Sequence, residues 1–173
     1  MVERLWAGWR AAYLEELGEH TTPGVKTQPI EGQSLFEAIL ESGRPDDETF
    51  ILWRGRHCFS LLNLYPYTTG HVLVLPRRAV RNLEDLEADE AAELWSAVRD
   101  AVVAVKAVYH PDGVNVGANL GAAAGAGIPD HLHVHVLPRW FGDTNFTMTL
   151  AETRVIPESL PLTWSKLTAA WPG

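Results

Sequence analysis

The sequence predicts an α+β fold, an antiparallel sheet of five strands with one long helix and a short N-terminal helix. Three observations lead there. The first three β-rich segments follow one another through short connections, which favours an antiparallel meander over alternating βαβ units. One stretch, Leu83 to Tyr109, repeats its apolar residues at helical spacing. Two further β-rich segments come after it, and the second alternates histidine with aliphatic residues.

Each element has its own signals. Leu17 to Gly32, with Gly18, Pro23, Gly24, Pro29 and Gly32, reads as a loop joining an N-terminal arm to the main body. Ser34-Leu-Phe-Glu37 opens the short helix with a capping-box pattern, and Gly43 and Pro45 stop it. Thr49 to Trp53 is the first strand, Arg54-Gly-Arg56 turns the chain, and His57 to Leu64 is the second strand. Tyr65 to Gly70 is a loop, and His71 to Leu75 is the third strand, ended by Pro76. The long helix carries Leu83, Leu86, Leu94, Val98, Val102, Val105 and Tyr109 on one face, with a wider step after Leu86. Its acidic start, Glu84, Asp85 and Glu87, suits the positive end of the helix dipole. Val114 to Leu120 and His131 to Leu137 are the last strands, and a short helix near Leu162 to Ala170 closes the chain.

Composition narrows the function. The 173 residues are 46% hydrophobic and 21% charged, which fits a single globular domain with a real core. The net charge of −8 argues against a nucleic-acid binder acting through a broad basic surface, yet leaves room for a small anionic ligand in a locally positive pocket. No apolar run approaches the ~18 residues that would span a membrane. The first residues lack a signal-peptide pattern, and Cys58 is the only cysteine, so a reducing cytoplasm is the expected compartment. Of the seven tryptophans, Trp6, Trp9, Trp53, Trp95, Trp140, Trp164 and Trp171, most are expected to pack in the core or at interfaces.

The chemistry concentrates between Gly121 and Pro138. His131, His133 and His135 alternate with Leu132, Val134 and Val136. On a strand this puts three imidazoles on one face, neighbours roughly 6–7 Å apart, and three aliphatic groups on the other. Three readings are open: the polar face of a half-buried strand, a zinc or copper site, and catalysis by imidazole. A central imidazole attacking phosphorus needs one nitrogen free and the other held by an acceptor such as a backbone carbonyl. The loop before it, with Gly121, Gly125 and Gly127 among alanines, lets a ligand approach the backbone, where successive N–H groups can cradle an anion. It matches no Walker or dinucleotide pattern, and an ordinary flexible connection is the alternative.

The run His131-Leu-His133-Val-His135-Val-Leu meets the full signature of the histidine-triad (HIT) superfamily of nucleotide hydrolases and transferases, which the chain resembles over roughly residues 34–145. Asn63-Leu-Tyr-Pro-Tyr-Thr-Thr-Gly70-His71 and Asn119-Leu-Gly121 followed by Ala124-Gly125 carry further likeness. A narrower resemblance is to the actinobacterial-type diadenosine tetraphosphate phosphorylases. It rests on Arg4-Leu-Trp6, on Pro138-Arg139-Trp140-Phe-Gly142-Asp143-Thr-Asn145-Phe146, and on an Asn119-to-His131 spacing one residue longer than in the short HIT hydrolases. Those hydrolases usually have a glutamine where Ala126 and Gly127 stand here.

The resemblance implies a HIT-like five-stranded antiparallel sheet that continues into ten strands in a homodimer. It divides the chain into an arm and loop (1–33), a HIT domain (34–145) and a C-terminal extension packed on it (146–173). It implies cleavage of diadenosine polyphosphates at the α-phosphate. His133 would be the nucleophile, His135 and backbone N–H groups would stabilise phosphoryl charge, and His131 would hold the network or protonate the leaving phosphate. Inorganic phosphate would then release ADP; water is the alternative acceptor, phosphoramidate hydrolysis an alternative reaction, and nucleotide binding without turnover an alternative role. Asn63 would bind ribose or serve a turn, and His71 would support the site or simply end a strand. Asn119, Gly125, Ala126 and Gly127 would face the phosphates. Trp140 would stack on a base or pack at a dimer interface, and Arg139 would neutralise phosphate or lie exposed. Many HIT proteins hold a structural zinc, but three of its four ligand positions are Ser34, Glu37 and Ala79 here, so no structural zinc is expected and the Ser34/Glu37 capping box would fix the helix instead. No cofactor is required, although Mg2+ can accompany the polyphosphate; neither nucleic acid nor membrane is an expected partner.

Overall fold

The computed structural model describes residues 29–143 and 158–172. The N-terminal arm with Arg4, Trp6 and Trp9, and residues 144–157 with Asn145 and Phe146, lie outside the described residues. Helix α1 is Leu35–Leu40, and its capping box is formed on both sides by Ser34 and Glu37. A second turn of helix, α2 (Asp46–Thr49), takes residues that the sequence pattern gave partly to the first strand. Pro45 precedes it and three acidic residues fill its first turn, a favourable helix start. Phe50 then adopts a left-handed conformation that redirects the chain into β1 (Ile51–Arg54).

Strands β2 (Cys58–Leu62) and β3 (Val72–Pro76) follow, then β4 (Gly113–Ala118) and β5 (Val134–Arg139). They form one five-stranded sheet in the order β1-β2-β3-β5-β4, with every neighbour antiparallel. Between β3 and β4 runs α3 (Ala88–Tyr109), 22 residues long. It begins later than the apolar periodicity predicts. Leu83–Asp85 is a separate 3-10 turn, closed by reciprocal bonds between Asn82 and Asp85. Leu86 is extended, and Glu87 starts the helix through its own reciprocal bonds with Glu90. The wider step after Leu86 marks this break. Glu90 also receives the Arg78 guanidinium in a two-bond fork of 2.7 and 2.7 Å, which ties the helix start to the end of β3.

The strand alternation divides the apolar residues between two cores. On one face, Leu62, Val72, Val74, Leu132, Val134 and Val136 pack against Leu94, Val98, Ala101 and Val105 of α3. Leu167 of α4 (Leu160–Ala170) enters the same core, and the Trp164 indole N–H donates to the Ile51 carbonyl at 2.8 Å, pinning α4 to the edge strand. Cys58 is buried in this core, where desolvation pushes its thiol up to about 12, and its Sγ points to the Glu90 carbonyl. On the opposite face, Ile51, Phe59, Leu61, Leu73 and Leu75 pack against Phe36, Ile39 and Leu40 of α1. The histidines share that second face. No described helix is long and apolar enough to cross a membrane.

Candidate active site

The histidine segment enters the sheet from one end. His131 and His133 precede the β5 ladder, and the Leu132 N–H bonds to the Val80 carbonyl at 2.6 Å, so the alternation continues beyond the strand itself. All three side chains are buried, His131 completely. Leu132, Val134 and Val136 turn to the α3 core, as the alternation predicts. The rings of His133 and His135 stand 5.0 Å apart, closer than the extended spacing because they meet at 68°.

Hydrogen-bond partners assign a proton to each ring. His131 Nε2 lies 2.8 Å from the Pro76 carbonyl, which can only accept, so Nε2 carries the proton. Its Nδ1 lies 2.6 Å from Ser34 Oγ, and the neutral ring takes a bond from the hydroxyl there. Burial lowers the His131 pKa, although the Pro76 bond and the Glu37 carboxylate act the other way. His133 donates its Nδ1 proton to the His131 carbonyl at 2.8 Å, which leaves the lone pair on Nε2. Burial lowers its pKa too, against the opposing effect of that bond. The ring therefore stays neutral, and nucleophilic at Nε2, around neutral pH.

His135 has the opposite polarity. The Tyr67 N–H points at His71 Nδ1 from 3.1 Å and must donate, so His71 carries its proton on Nε2. That nitrogen is 2.9 Å from His135 Nδ1, which accepts, and the His135 proton falls on Nε2. His133 thus presents a lone pair and His135 a proton. Phe36 packs against His131 and His133, with both centroid distances 5.4 Å, while Tyr67 lies 4.7 Å from the His71 ring and 5.8 Å from the His135 ring. Opposite His135 on β4 is Gly117, where an added Cβ would meet no atom within 4 Å, so the strand leaves open space beside the ring.

The other predicted residues are placed as follows. Asn63 accepts the Tyr65 N–H at 3.0 Å in a turn, and its amide nitrogen lies 3.3 Å from His71 Nδ1. It therefore shapes the loop that carries Tyr67 and His71. Asn119 donates to the Gly125 carbonyl at 3.4 Å and closes the glycine loop. The N–H groups of Ala124, Gly125 and Ala126 bond to the carbonyls of Gly121 and Ala122. The expected cradle of successive amides is therefore not formed by these three, because the loop has folded into a 3-10 turn. Trp140 lies past the far end of β5, about 23 Å along the chain from His133 at some 3.3 Å per residue, and its ring meets Tyr109 edge-on at 6.5 Å. Within one chain it is not brought to the histidines. Arg139 is held by a two-bond fork to Asp143 (2.6 and 2.8 Å) and by Asn115, so its charge is already paired.

The positions corresponding to a structural zinc offer little to a metal. Both Glu37 carboxylate oxygens accept main-chain N–H groups, from Ser34 at 2.9 Å and Ala79 at 2.8 Å. Position 79 contributes a backbone amide and no ligating side chain. His131 Nδ1 is taken by the Ser34 hydroxyl. These residues do not fit zinc. Sequence reasoning missed Phe36 and Tyr67. Tyr67 acts through its backbone N–H, which no residue type signals, although its place in the Asn63–His71 loop was a pointer.

Comparison with known proteins agrees with this geometry. The HIT domain family profile matches residues 44–142. The AP-4-A phosphorylase of Mycobacterium tuberculosis is 40% identical over 170 residues, which cover 98% of this chain and 85% of that protein. The asymmetrical bis(5'-nucleosyl)-tetraphosphatase of Schizosaccharomyces pombe is 37% identical over 89 residues, 51% of this chain and 48% of that one. A solved zinc-bound histidine triad family protein from Mycobacterium smegmatis superposes with a TM-score of 0.64 at 27% identity, covering 80% of this chain and 92% of that chain. With three histidines on one face of such a sheet, and a family match across more than half its length, the chain belongs to the HIT family.

Proposed function

We propose that this protein is a nucleotidyl-transferring enzyme that cleaves diadenosine tetraphosphate by phosphorolysis, giving ATP and ADP. The observation that carries the reading is the opposite proton polarity of His133 and His135. His133 Nε2 attacks the α-phosphorus, a nitrogen–phosphorus bond forms, and the bond to the bridging oxygen breaks, releasing ATP. His135 Nε2–H donates to phosphoryl oxygen, where negative charge builds in the transition state. His131, with both ring nitrogens bonded inside the protein, holds the network and directs no proton at substrate. In the second step inorganic phosphate attacks the same phosphorus, the phosphorus–nitrogen bond breaks, ADP leaves and His133 is regenerated. Asn119 and the small residues Gly125, Ala126 and Gly127 let the polyphosphate approach the main chain, and Mg2+ accompanies it as part of the substrate.

The choice of phosphate over water rests on the Mycobacterium tuberculosis relative, whose likeness extends over nearly the whole chain. The shorter match to the fission-yeast tetraphosphatase supports hydrolysis as the second reading. Diadenosine tetraphosphate incubated with and without inorganic phosphate separates the two. ATP plus ADP only with phosphate is the expected result. ATP plus AMP regardless of phosphate means hydrolysis, and no turnover removes both readings.

The outer edge of β4, with Val116 43% exposed, suits pairing with a second copy into a ten-stranded sheet. Equilibrium sedimentation is expected to give a dimer, and a monomer at every concentration would exclude this assembly.

A further inference from the structure

We propose that Ser34 is a positioning residue that holds the His131 ring, whose tautomer the Pro76 carbonyl sets, and that through the His131 carbonyl it aims the ring of His133. The proposal rests on the reading of His133 as the nucleophile. Its basis is a closed ring of bonds. Ser34 Oγ accepts the Glu37 N–H at 3.1 Å, and its own proton goes to His131 Nδ1 at 2.6 Å. His131 Nε2 donates to the Pro76 carbonyl. Three residues on, the Ala79 N–H returns to Glu37 Oε1 at 2.8 Å. The cap of α1, the end of β3 and the first histidine therefore hold one another.

A helix cap needs only an acceptor at this position, and Asp, Asn, Ser and Thr all supply one. The bond to His131 needs a donor as well. Ser34 meets both needs with one oxygen and bonds the free nitrogen of a ring that burial keeps neutral. The titratable groups facing His131 are Glu37 and His133, while Asp130 pairs outward with Arg81 at 2.8 Å. A proton added at His131 Nδ1 would place a cation beside the nucleophile and reverse the bond to Ser34, whose oxygen would then accept. The His131 carbonyl holds His133 Nδ1, so a change at the first ring reaches the second through this bond.

Two nearly isosteric variants separate the positioning role from the cap. In Ser34→Asn the amide still accepts the Glu37 N–H and still donates to Nδ1. In Ser34→Asp the side chain caps equally well but has no proton to give, so His131 must carry one on each nitrogen. Nitrogen-15 NMR of the ligand-free, imidazole-labelled protein reads the rings directly. Wild type and Ser34→Asn are expected to show a neutral Nε2–H ring at His131 from about pH 6 to 8, and Ser34→Asp an imidazolium there. In turnover of diadenosine tetraphosphate, Ser34→Asn should stay within about threefold of wild type, while Ser34→Asp loses on the order of tenfold or more in kcat with a smaller change in KM.

Identical His131 spectra in the two variants would overturn the proposal. So would different His131 spectra accompanied by unchanged His133 signals and unchanged kcat. Should Ser34→Asp fail to fold, Ser34→Ala serves, since it removes the donor without adding charge. The Nε2–H tautomer is then retained through Pro76, while His131 Nδ1 is expected to move to the shift of an unbonded nitrogen and the His133 signals to move with it; unchanged His133 signals and kcat count against the positioning role. A wild-type protein without turnover defeats the functional reading alone, because the His131 and His133 spectra still decide whether Ser34 positions the rings.

Discussion

At the residue scale, the site is a matter of where four protons sit. Each is set by a partner that can only donate or only accept: the Pro76 carbonyl for His131, the His131 carbonyl for His133, and the Tyr67 N–H for His71 and so for His135. His133→Ala removes the proposed nucleophile, and kcat is expected to fall at least ~10³-fold while circular dichroism stays native. Retained turnover would reassign the attacking group. Burial lowers the pKa of His133, so kcat/KM should hold steady through neutral pH and decline only below about 6.5. Stability follows the same direction. The folded His131 and His133 bind protons less readily than in the unfolded chain, so their contribution is complete above about pH 6.5 and is lost as pH falls below it. Urea midpoints measured from about pH 7 down to 5 should decrease, and a flat profile would contradict the assignment. The spacing of the histidines made this face legible in the sequence. The Ser34–His131 bond was not, because the two residues lie 97 positions apart and only the fold joins them.

At the element scale, the loop between β2 and β3 holds His71 in place through Tyr67 and Asn63, and Gly70 fits that loop against the end of α3. Gly70 has a φ of +77°, and an added Cβ would lie 2.7 Å from the Tyr109 ring, which itself donates to Glu158 at 2.6 Å. Gly70→Ala therefore combines backbone strain with a clash. A stability loss of about 1–3 kcal/mol is expected, together with a lower kcat as the Tyr67 N–H leaves His71. Thermal denaturation and turnover measured on the same variant check both, and a variant with native Tm and kcat would show that the loop is not held this way. The long helix was readable because one face is apolar at helical period, and the central strands because each is a short, continuous apolar run bounded by turn residues. The start of α3 was misplaced because Leu83 and Leu86 continue that period through a turn and an extended residue that reciprocal caps have detached from the helix. The first strand was begun too early because Thr49 favours a strand by type yet closes α2, where its hydroxyl bonds to the Pro45 carbonyl at 3.2 Å.

At the scale of the whole molecule, hydrogen bonds join α1, β3 and the first histidine. Overnight dialysis against a chelator is expected to leave Tm unchanged and to release less than stoichiometric zinc, because Ser34, Glu37 and the Ala79 amide make the junction without a cation. A fall in Tm with one zinc freed per chain would reverse that. On a protein of net charge −8, the proposed phosphate binding would rest on the imidazoles more than on a basic field. The buried Cys58 has a practical consequence. A thiol pushed up to about 12 and closed inside the α3 core is a poor nucleophile toward maleimides and disulfides at neutral pH. The natural chain is thus already silent to thiol chemistry, and a cysteine introduced on the β4 edge or beside the glycine loop would report on its own position, through a fluorophore or spin label, with no background to subtract.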